Sequence, residues 1–268
     1  MPGCGKTYLS AYIIEILLRS EQAIAYFFCD TKDERKRSTV AILETWIWQL
    51  LQADPRPKQR IKVAEFYDKG NPTSRDDLLA TLRLLINKDP ETDSQEIAKD
   101  GPQFFFVLDG LDECHDVIRK DLLDICQELA ESAKVLIVSR RERDIEAAIE
   151  KVTYLQHLHI TAAENGSDIQ RYMHDQVKSL DLEDNRLGVQ IEQRLSEESE
   201  GMFLWVRLMI KELLDQTTMT EMKEALDNLP VGLDQFYGRI LDNINSYPRN
   251  WKIKALRALQ GLFAQFDL

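Results

Sequence analysis

The chain has 268 residues, of which 44% are hydrophobic and 30% are charged. This length allows a full hydrophobic core and about two domains, and the composition excludes a disordered chain. With 34 basic and 46 acidic residues the net charge is −12, so a nucleic acid, itself a polyanion, is not an expected partner.

The chain opens inside a phosphate-binding loop. Met1–Thr7 reads MPGCGKT, which fills the last places of the pattern G-x-x-x-x-G-K-[ST] and puts its first glycine one residue before Met1. In such a loop the glycines let phosphates approach the backbone, the lysine contacts the β- and γ-phosphates, and the threonine hydroxyl binds Mg²⁺. Six residues are therefore predicted to bind nucleotide, with Thr7 also a metal ligand: Pro2, Gly3, Cys4, Gly5, Lys6 and Thr7.

A dense apolar run, Tyr8–Leu18, follows this loop and predicts a helix buried against a sheet. Two alternatives are a chance match to the loop pattern and a signal peptide with Lys6 in its basic region. Glu15 inside the run and the lack of a small-residue cleavage site argue against export.

The first half of the chain alternates between predicted helices and strands. The helices are predicted at 6–19, 37–52, 75–87 and 116–132, and the strands at 23–29, 103–109, 134–139 and 154–160. This alternation is typical of βαβ units with a parallel sheet. The segment Lys32–Arg37 mixes both signs of charge and is interpreted as a solvated loop.

The strand at 103–109 ends in acidic residues. It is apolar on both faces, as in the middle of a parallel sheet. Asp109 lies at its carboxyl end, where open α/β sheets bind ligands, and is predicted to hold Mg²⁺. Asp112 and Glu113 follow at a distance suited to polarising an attacking water, which makes them the predicted catalytic pair. The alternative is a buried strand followed by a solvated acidic turn.

From residue 161 onward the strands stop and helices are predicted to begin near Ser167, Asp184, Met202, Thr218 and Leu233. Thr218 and Glu221 form a capping-box pattern at the start of an amphipathic helix. The apolar residues between Leu233 and Ile244 keep the i, i+3, i+4, i+7 spacing that predicts one buried helix face.

The motifs PGCGKT and LDGLDEC together resemble the NACHT class of signal-transducing NTPases with numerous domains. That class has a small residue, here Gly110, after the Mg-binding aspartate and further acids just beyond. The likeness is to the large fungal set related to heterokaryon-incompatibility proteins and to the nephrocystin-type NACHT domain. It spans nearly the whole chain and includes further stretches at 25–30, 134–140, 201–206 and 229–234.

The resemblance implies an α/β fold, a P-loop NTPase with a three-layer parallel sheet that lacks its first strand. The implied domains are a nucleotide-binding domain at 1–160, a helical domain at 161–232, and a linker helix with the start of a winged-helix domain at 233–268. In related folds the missing strand lies beside the one that ends at Asp109. The backbone groups of Phe104–Leu108 and of a neighbouring strand are then expected to face an empty slot, causing aggregation and weak nucleotide binding.

The resemblance also implies a function, a switch that binds Mg²⁺ with ATP or GTP, hydrolyses it slowly and thereby controls oligomerisation. Arg140 occupies the place where related NTPases have a polar sensor of the γ-phosphate; the alternative is a helix-capping or surface arginine. Gly201–Trp205 matches the segment that contacts the base, although Phe203 replaces a proline found in some relatives. Self-association and contacts with effector or sensor domains are the implied partners.

Two other functions stay open. One is a non-catalytic interaction module on an NTPase fold that no longer binds nucleotide. The other is a metabolic P-loop kinase, which fits less well because no acceptor-substrate domain is visible.

The cysteine and histidine positions bear on location and metal binding. Cys4, Cys29, Cys114 and Cys126 show no paired framework, which favours reduced thiols and a cytoplasmic protein. Cys4 is either an oxidisable thiol beside a helix N-terminus or a small residue that fits the loop. The four histidines show no metal-ligand spacing, and no apolar run reaches the ~18–20 residues that a membrane span needs.

Overall fold

The computed structural model describes residues 3–20, 22–53, 61, 63–65, 74–86, 103–150, 156–180, 182 and 185–264, with 259–264 described by backbone alone. In this part the protein is mixed α/β and mostly helical, with a three-stranded parallel sheet. The chain divides into two compact units, an α/β unit at Lys6–Gln156 and a helical unit at Met1–Gly5 with His157–Leu268.

The α/β unit alternates between strands and helices along the chain. Its strands are β1 (Ala23–Phe28), β2 (Phe104–Asp109) and β3 (Lys134–Val138). The α-helices whose two ends are described are α1 (Lys6–Arg19), α2 (Thr39–Ala53), α3 (Arg75–Ile86), α4 (Asp116–Leu129) and α5 (Arg143–Ile149). Short 3-10 turns precede α2 and α4, at Glu34–Arg37 and Leu111–Glu113.

The sheet has the order β1-β2-β3, so β2 is central and parallel to both neighbours. The ladder continues one step past the strands, because Cys29 N donates to Asp109 O at 2.9 Å and Gly110 N donates to Val138 O at 2.9 Å. Because β1 and β3 pair with β2 on its two sides, the predicted empty slot beside Phe104–Leu108 is wrong. The prediction that a neighbouring strand faces such a slot, with aggregation and weak nucleotide binding as its consequences, stays a prediction.

Alternate residues of the strands face two different apolar layers. Phe106 of β2 packs in the larger core with α2, where its ring meets Trp46 edge to face with centroids 5.2 Å apart. Ile24 and Val107 point the other way and pack against Ile14 of α1. This period of two explains why a strand apolar on both faces lies in the middle of the sheet, with helices on each side.

The helical unit contains six helices in its described part: α6 (Ala162–Lys178), α7 (Asn185–Glu198), α8 (Phe203–Leu214), α9 (Met219–Asp227), α10 (Gly232–Ser246) and α11 (Arg249–Ala264). Trp205 is fully buried in its core, and its indole Nε1 donates to Pro230 O at 3.0 Å. The predicted capping box of Thr218 and Glu221 is confirmed at the start of α9.

Several predicted boundaries differ from the structure. Of the strand predicted at 154–160, residues 151–155 lie outside the described residues, and 156–160 have no regular secondary structure. Helix α5 was not predicted, and α6 begins at Ala162 rather than near Ser167 because Thr161 and Glu164 form a capping box.

The predicted buried face of the helix after Leu233 is confirmed only in part, because Leu233 and Phe236 pack half-buried against the core of the helical unit. No residue of α10 is buried, and Tyr237, Ile240 and Leu241 expose 48%, 41% and 47% of their surface. The spacing identified an amphipathic helix correctly, but spacing alone does not show that a packing partner covers its apolar stripe.

Among the helices in the described ranges, none combines the length and apolar character required to cross a bilayer.

Candidate functional site

Two predicted metal ligands meet at the carboxyl end of the central strand. Lys6 and Thr7 form the first turn of α1, and Asp109 is the last residue of β2. The Thr7 hydroxyl Oγ1 donates a hydrogen bond to Asp109 Oδ2 at 2.8 Å, and Asp109 is only 4% exposed. Because α1 packs against the sheet near Ile14, its N-terminus is held over this end of β2.

Ser10 completes this site and was missed from the sequence. It lies one turn after Thr7, is fully buried, and its Oγ donates to Asp109 Oδ1 at 2.7 Å. The Lys6 carbonyl oxygen is also 3.1 Å from this hydroxyl, but a serine has one proton, and the shorter bond to a carboxylate is the stronger one. Each oxygen of Asp109 thus accepts a hydroxyl. The i, i+3 spacing of Thr7 and Ser10 on one helix face is the sequence signal that could have identified it.

The donor set suits Mg²⁺. A threonine hydroxyl and an aspartate carboxylate are hard oxygen ligands, which Mg²⁺ prefers. In the residues that the structure describes, no group of three or more His, Cys, Asp or Glu side chains is arranged to hold a metal. A site with few protein ligands fits a cation that usually keeps several waters and binds through one or two carboxylates plus substrate phosphates.

Beyond Asp109 the chain turns sharply at Gly110. This glycine has φ 77°, and a Cβ built on it lies 3.1 Å from the carbonyl oxygen of Cys29, so a side chain is disfavoured there. The turn leads into the 3-10 segment that carries Asp112 and Glu113. Gly110 therefore directs both predicted catalytic acids back toward the loops that follow the neighbouring strands.

Asp112 contacts the loop that follows β3. Its Oδ1 accepts a hydrogen bond from the Arg140 backbone N at 2.8 Å, and its Oδ2 lies 3.3 Å from Arg140 Nε. The Asp112 side chain is 9% exposed, whereas the Arg140 side chain is 58% exposed. The predicted γ-phosphate sensor and one predicted catalytic acid are therefore paired with each other.

Glu113 contacts the loop that follows β1. Its Oε2 accepts a hydrogen bond from the Thr31 backbone N at 2.8 Å, and the Thr31 hydroxyl lies 3.4 Å away. Asp112 and Glu113 thus connect the turn after β2 to the loops after both flanking strands. A role for either acid in activating water would use the carboxylate lone pairs that these contacts leave unoccupied.

Three further residues of the predicted loop, Gly3, Cys4 and Gly5, belong to the helical unit. Gly3 O accepts from Leu204 N at 3.1 Å, and Cys4 O accepts from Asn165 Nδ2 at 3.0 Å. A Cβ on Gly3, whose φ is 69°, comes within 2.7 Å of the Leu204 Cβ, so only glycine fits. The structure thus places the glycine segment against the start of α8.

The outcomes for the other predicted residues of this segment, Gly5, Pro2 and Cys4, are as follows. A Cβ on Gly5 lies 3.6 Å from the ring of Phe203, within the stretch that the resemblance assigned to base contact. Pro2 lies outside the described residues. Cys4 is buried and 3% exposed, which matches its interpretation as a small residue fitting the loop.

A pair of thiols lies near the same edge of the sheet. The four cysteines are free and buried, and the side chains of Cys29 and Cys114 are hydrogen-bonded to each other. This bond lowers the pKa of the Cys114 thiol; burial opposes the effect, and the guanidinium groups of Arg119 and Arg37 support it. The pKa of Cys29 is raised by the same hydrogen bond and by burial, so Cys114 is the thiol of the pair that ionises first as pH rises.

One protein-family model matches the part of the chain that contains this site. A family model described as Nephrocystin 3, N-terminal matches residues 1–140, more than half of the 268 residues. The matched range contains all the predicted site residues, from Pro2 to Arg140. No curated protein and no solved structure matches the chain. The chain belongs to the Nephrocystin 3, N-terminal family.

Proposed function

We propose that this protein is a nucleotide-dependent signalling switch of the NACHT type, built on a P-loop fold. In this proposal it binds ATP or GTP with Mg²⁺ and hydrolyses it slowly to control self-association. The observation that carries the proposal is the hydrogen bond from Thr7 to Asp109, which joins the end of the glycine-lysine-threonine motif to the acidic end of the central strand.

The residues of the α/β unit have distinct roles in nucleotide binding. Lys6 stands in the first turn of α1, where free N–H groups and the helix dipole favour anions, and its ammonium group adds a positive charge for the phosphates. Thr7 and Asp109 would hold Mg²⁺, which neutralises phosphate charge when bound. Ser10 fixes the rotamer of Asp109 by binding the oxygen that Thr7 does not bind.

In this proposal the acidic turn at Asp112 and Glu113 is responsible for slow nucleotide hydrolysis and for the conformational response to the triphosphate. Asp112 and Glu113 are each engaged by a neighbouring loop, which suits an enzyme whose water-activating groups are available only part of the time. Arg140, whose side chain is largely exposed, would exchange Asp112 for a phosphate oxygen. Such an exchange gives the triphosphate a differential contact, and a ligand can shift a conformational equilibrium only through differential contacts.

The test is direct binding of labelled ATP and GTP to the 268-residue chain with and without Mg²⁺. We expect saturable, Mg-dependent binding that Lys6→Ala weakens about ten- to hundred-fold, because a charge-assisted contact contributes about 1.5–3 kcal/mol. Lys120→Ala, at an exposed position of α4, is the matched control. Equal affinity of the wild type and Lys6→Ala for the nucleotide would refute the proposal.

A second candidate is an interaction module that does not bind nucleotide. Two observations favour it: the engagement of both acids by Arg140 and Thr31, and the packing of Phe203 and Leu204 against the glycine segment. Failure of ATP and GTP to bind in the presence of Mg²⁺ would support this candidate.

We propose the cytoplasm as the site of action for either candidate. The proposed partners are further copies of the chain and effector or sensor domains, with no nucleic acid and no membrane among them.

A further inference from the structure

A surface cavity of about 400 Å³ lies in the α/β unit at the start of α2. One wall is the 3-10 turn that ends at Arg37 together with Ser38, Thr39 and Val40. The other wall comes from the start of α4, with His115 and Ile118. None of Lys6, Thr7 or Asp109 lines this cavity, so it is separate from the proposed nucleotide site.

Arg37 is a buried cation in this wall. The sequence placed it in a solvated loop, but it is only 7% exposed. Its Nη1 lies 3.1 Å from His115 Nε2, and its Nε is shielded from solvent with no hydrogen-bond partner. Within the described ranges, no carboxylate forms an ion pair with it. A buried charge without a counter-charge is costly, so an anion bound beside Arg37 would stabilise this part of the fold.

The N-terminus of α2 faces the same cavity. Helix α2 has 15 residues, its first turn contains no acidic residue, and Ile42 N donates to Ser38 O at 3.0 Å, which makes Ser38 the N-cap. The N–H groups at the start of a helix have no acceptor within the helix. In the described part of the chain, the Ser38 hydroxyl forms no capping hydrogen bond. The positive end of the α2 dipole is thus left for an external anion.

The remaining lining residues define what kind of anion fits. Arg37 can only donate, so His115 accepts at Nε2 and carries its proton on Nδ1. Val40 and Ile118 supply apolar surface beside these donors. Glu34 is the one acidic residue that lines the cavity; it is exposed, and its carboxylate opposes an anion.

We propose that this cavity binds a phosphate monoester. The phosphate would lie at the N-terminus of α2 against Arg37, and the organic group would contact Val40 and Ile118. A dianion with several acceptor oxygens matches a guanidinium group together with backbone N–H groups. The cavity also leaves room for an organic group beyond the phosphate.

Phenyl phosphate is the probe for this site, and phenol is its uncharged control. Titration of the wild-type chain should give saturable binding for phenyl phosphate and none for phenol. Arg37→Gln should weaken phenyl phosphate binding about ten-fold or more, because it removes a charge-assisted contact. Arg35→Gln, in the same turn but with a side chain that is 89% exposed, should leave the affinity unchanged.

A second pair of variants keeps the test decisive if Arg37→Gln does not fold. Ser38→Asp and Ser38→Asn both preserve a good N-cap, but only the aspartate puts a negative charge where the phosphate would bind. Ser38→Asp should abolish phenyl phosphate binding and Ser38→Asn should retain it. Equal affinity of these two variants, or no saturation of the wild type by about 10 mM phenyl phosphate, overturns the proposal.

Two variants distinguish phenyl phosphate binding in this cavity from binding at the proposed nucleotide site. Lys6→Ala should lose ATP or GTP binding and keep phenyl phosphate binding, since Lys6 lies outside the cavity. If Lys6→Ala abolishes phenyl phosphate binding while Ser38→Asp does not, the phosphate binds at the nucleotide site and the cavity is not a phosphate site. If no nucleotide binds to any variant, phenyl phosphate binding to this cavity is still measured on its own.

Discussion

Thr7 and Asp109 are 102 positions apart in the sequence, and a hydrogen bond of 2.8 Å joins their side chains. The contact exists because α1 packs on the sheet with its first turn above the carboxyl end of β2. Ser10 reinforces it from the next turn of the same helix, so the orientation of the carboxylate is fixed from both sides. This arrangement joins the two sequence motifs into one oxygen-rich site.

The carboxylate of Asp109 can be removed to test this site. Asp109→Ala leaves the buried Ser10 hydroxyl without its acceptor, and we expect a loss of about 1–3 kcal/mol in the free energy of unfolding for this unpaired group. The Thr7 hydroxyl loses its acceptor as well, but Thr7 is exposed and water can replace the lost bond. Mg-dependent nucleotide binding should weaken as well, because the negative charge that holds the cation is gone. Urea unfolding and Mg²⁺ titration measure the two effects. Asp124→Ala, at an exposed position of α4, should change neither. Unchanged stability in Asp109→Ala would show that the two hydrogen bonds contribute nothing.

Ser10→Ala tests the positioning role separately. It removes one charge-assisted hydrogen bond to a buried carboxylate, so the free energy of unfolding should fall by about 1.5–3 kcal/mol. The Mg²⁺ concentration required for half-maximal nucleotide binding should rise, while binding without Mg²⁺ should stay at the wild-type level. Ser20→Ala, which removes an exposed hydroxyl bonded to the Ile16 carbonyl, is the control. A wild-type Mg²⁺ requirement in Ser10→Ala would exclude a positioning role for Ser10.

Local patterns predicted the strands and most helices of the α/β unit. The predicted strands at 23–29, 103–109 and 134–139 agree with β1, β2 and β3 to within one residue at each end. Apolar runs bounded by polar residues are a local signal, so these strands can be predicted from the sequence. The meeting of Thr7 and Asp109 was also predictable, since parallel strands and the following helices bring their functional ends to one edge of a sheet.

Long-range pairing explains what the sequence did not predict. The contacts of Asp112 with Arg140 and of Glu113 with Thr31 depend on strand order, which no local pattern encodes. Burial of Arg37 has the same cause, because its neighbour His115 comes from a different crossover connection. Tyr237 of α10 shows the opposite case, in which the helical period is present and the side chain stays 48% exposed in the described part of the chain.

The acidic turn can be tested by neutral substitutions that keep a carbonyl oxygen. Asp112→Asn and Glu113→Gln still offer an acceptor to Arg140 N and Thr31 N, so the fold and nucleotide affinity should be preserved. Hydrolysis should slow, trapping the triphosphate state, because the amide cannot accept a proton from water. Single-turnover hydrolysis of bound nucleotide measures the effect. If both variants hydrolyse at the wild-type rate, neither acid activates the water.

Cys126 predicts how stability changes at alkaline pH. Burial in the core, where the residue is 2% exposed, raises the pKa of its thiol from 9.0 to about 12. Below pH 9 both the folded and the unfolded state hold this proton, and the group has no effect. Between pH 9 and 12 the unfolded state releases the proton and the folded state keeps it, so the free energy of unfolding falls as pH rises. At pH 10 the ionisation of this one group should lower the free energy of unfolding by about 1.4 kcal/mol relative to pH 8.

Urea unfolding at the two pH values should therefore show a larger fall in the free energy of unfolding for the wild type than for Cys126→Ala, which has no thiol to ionise. Equal losses in the two proteins would mean that the thiol of Cys126 ionises as readily in the folded state as in the unfolded chain.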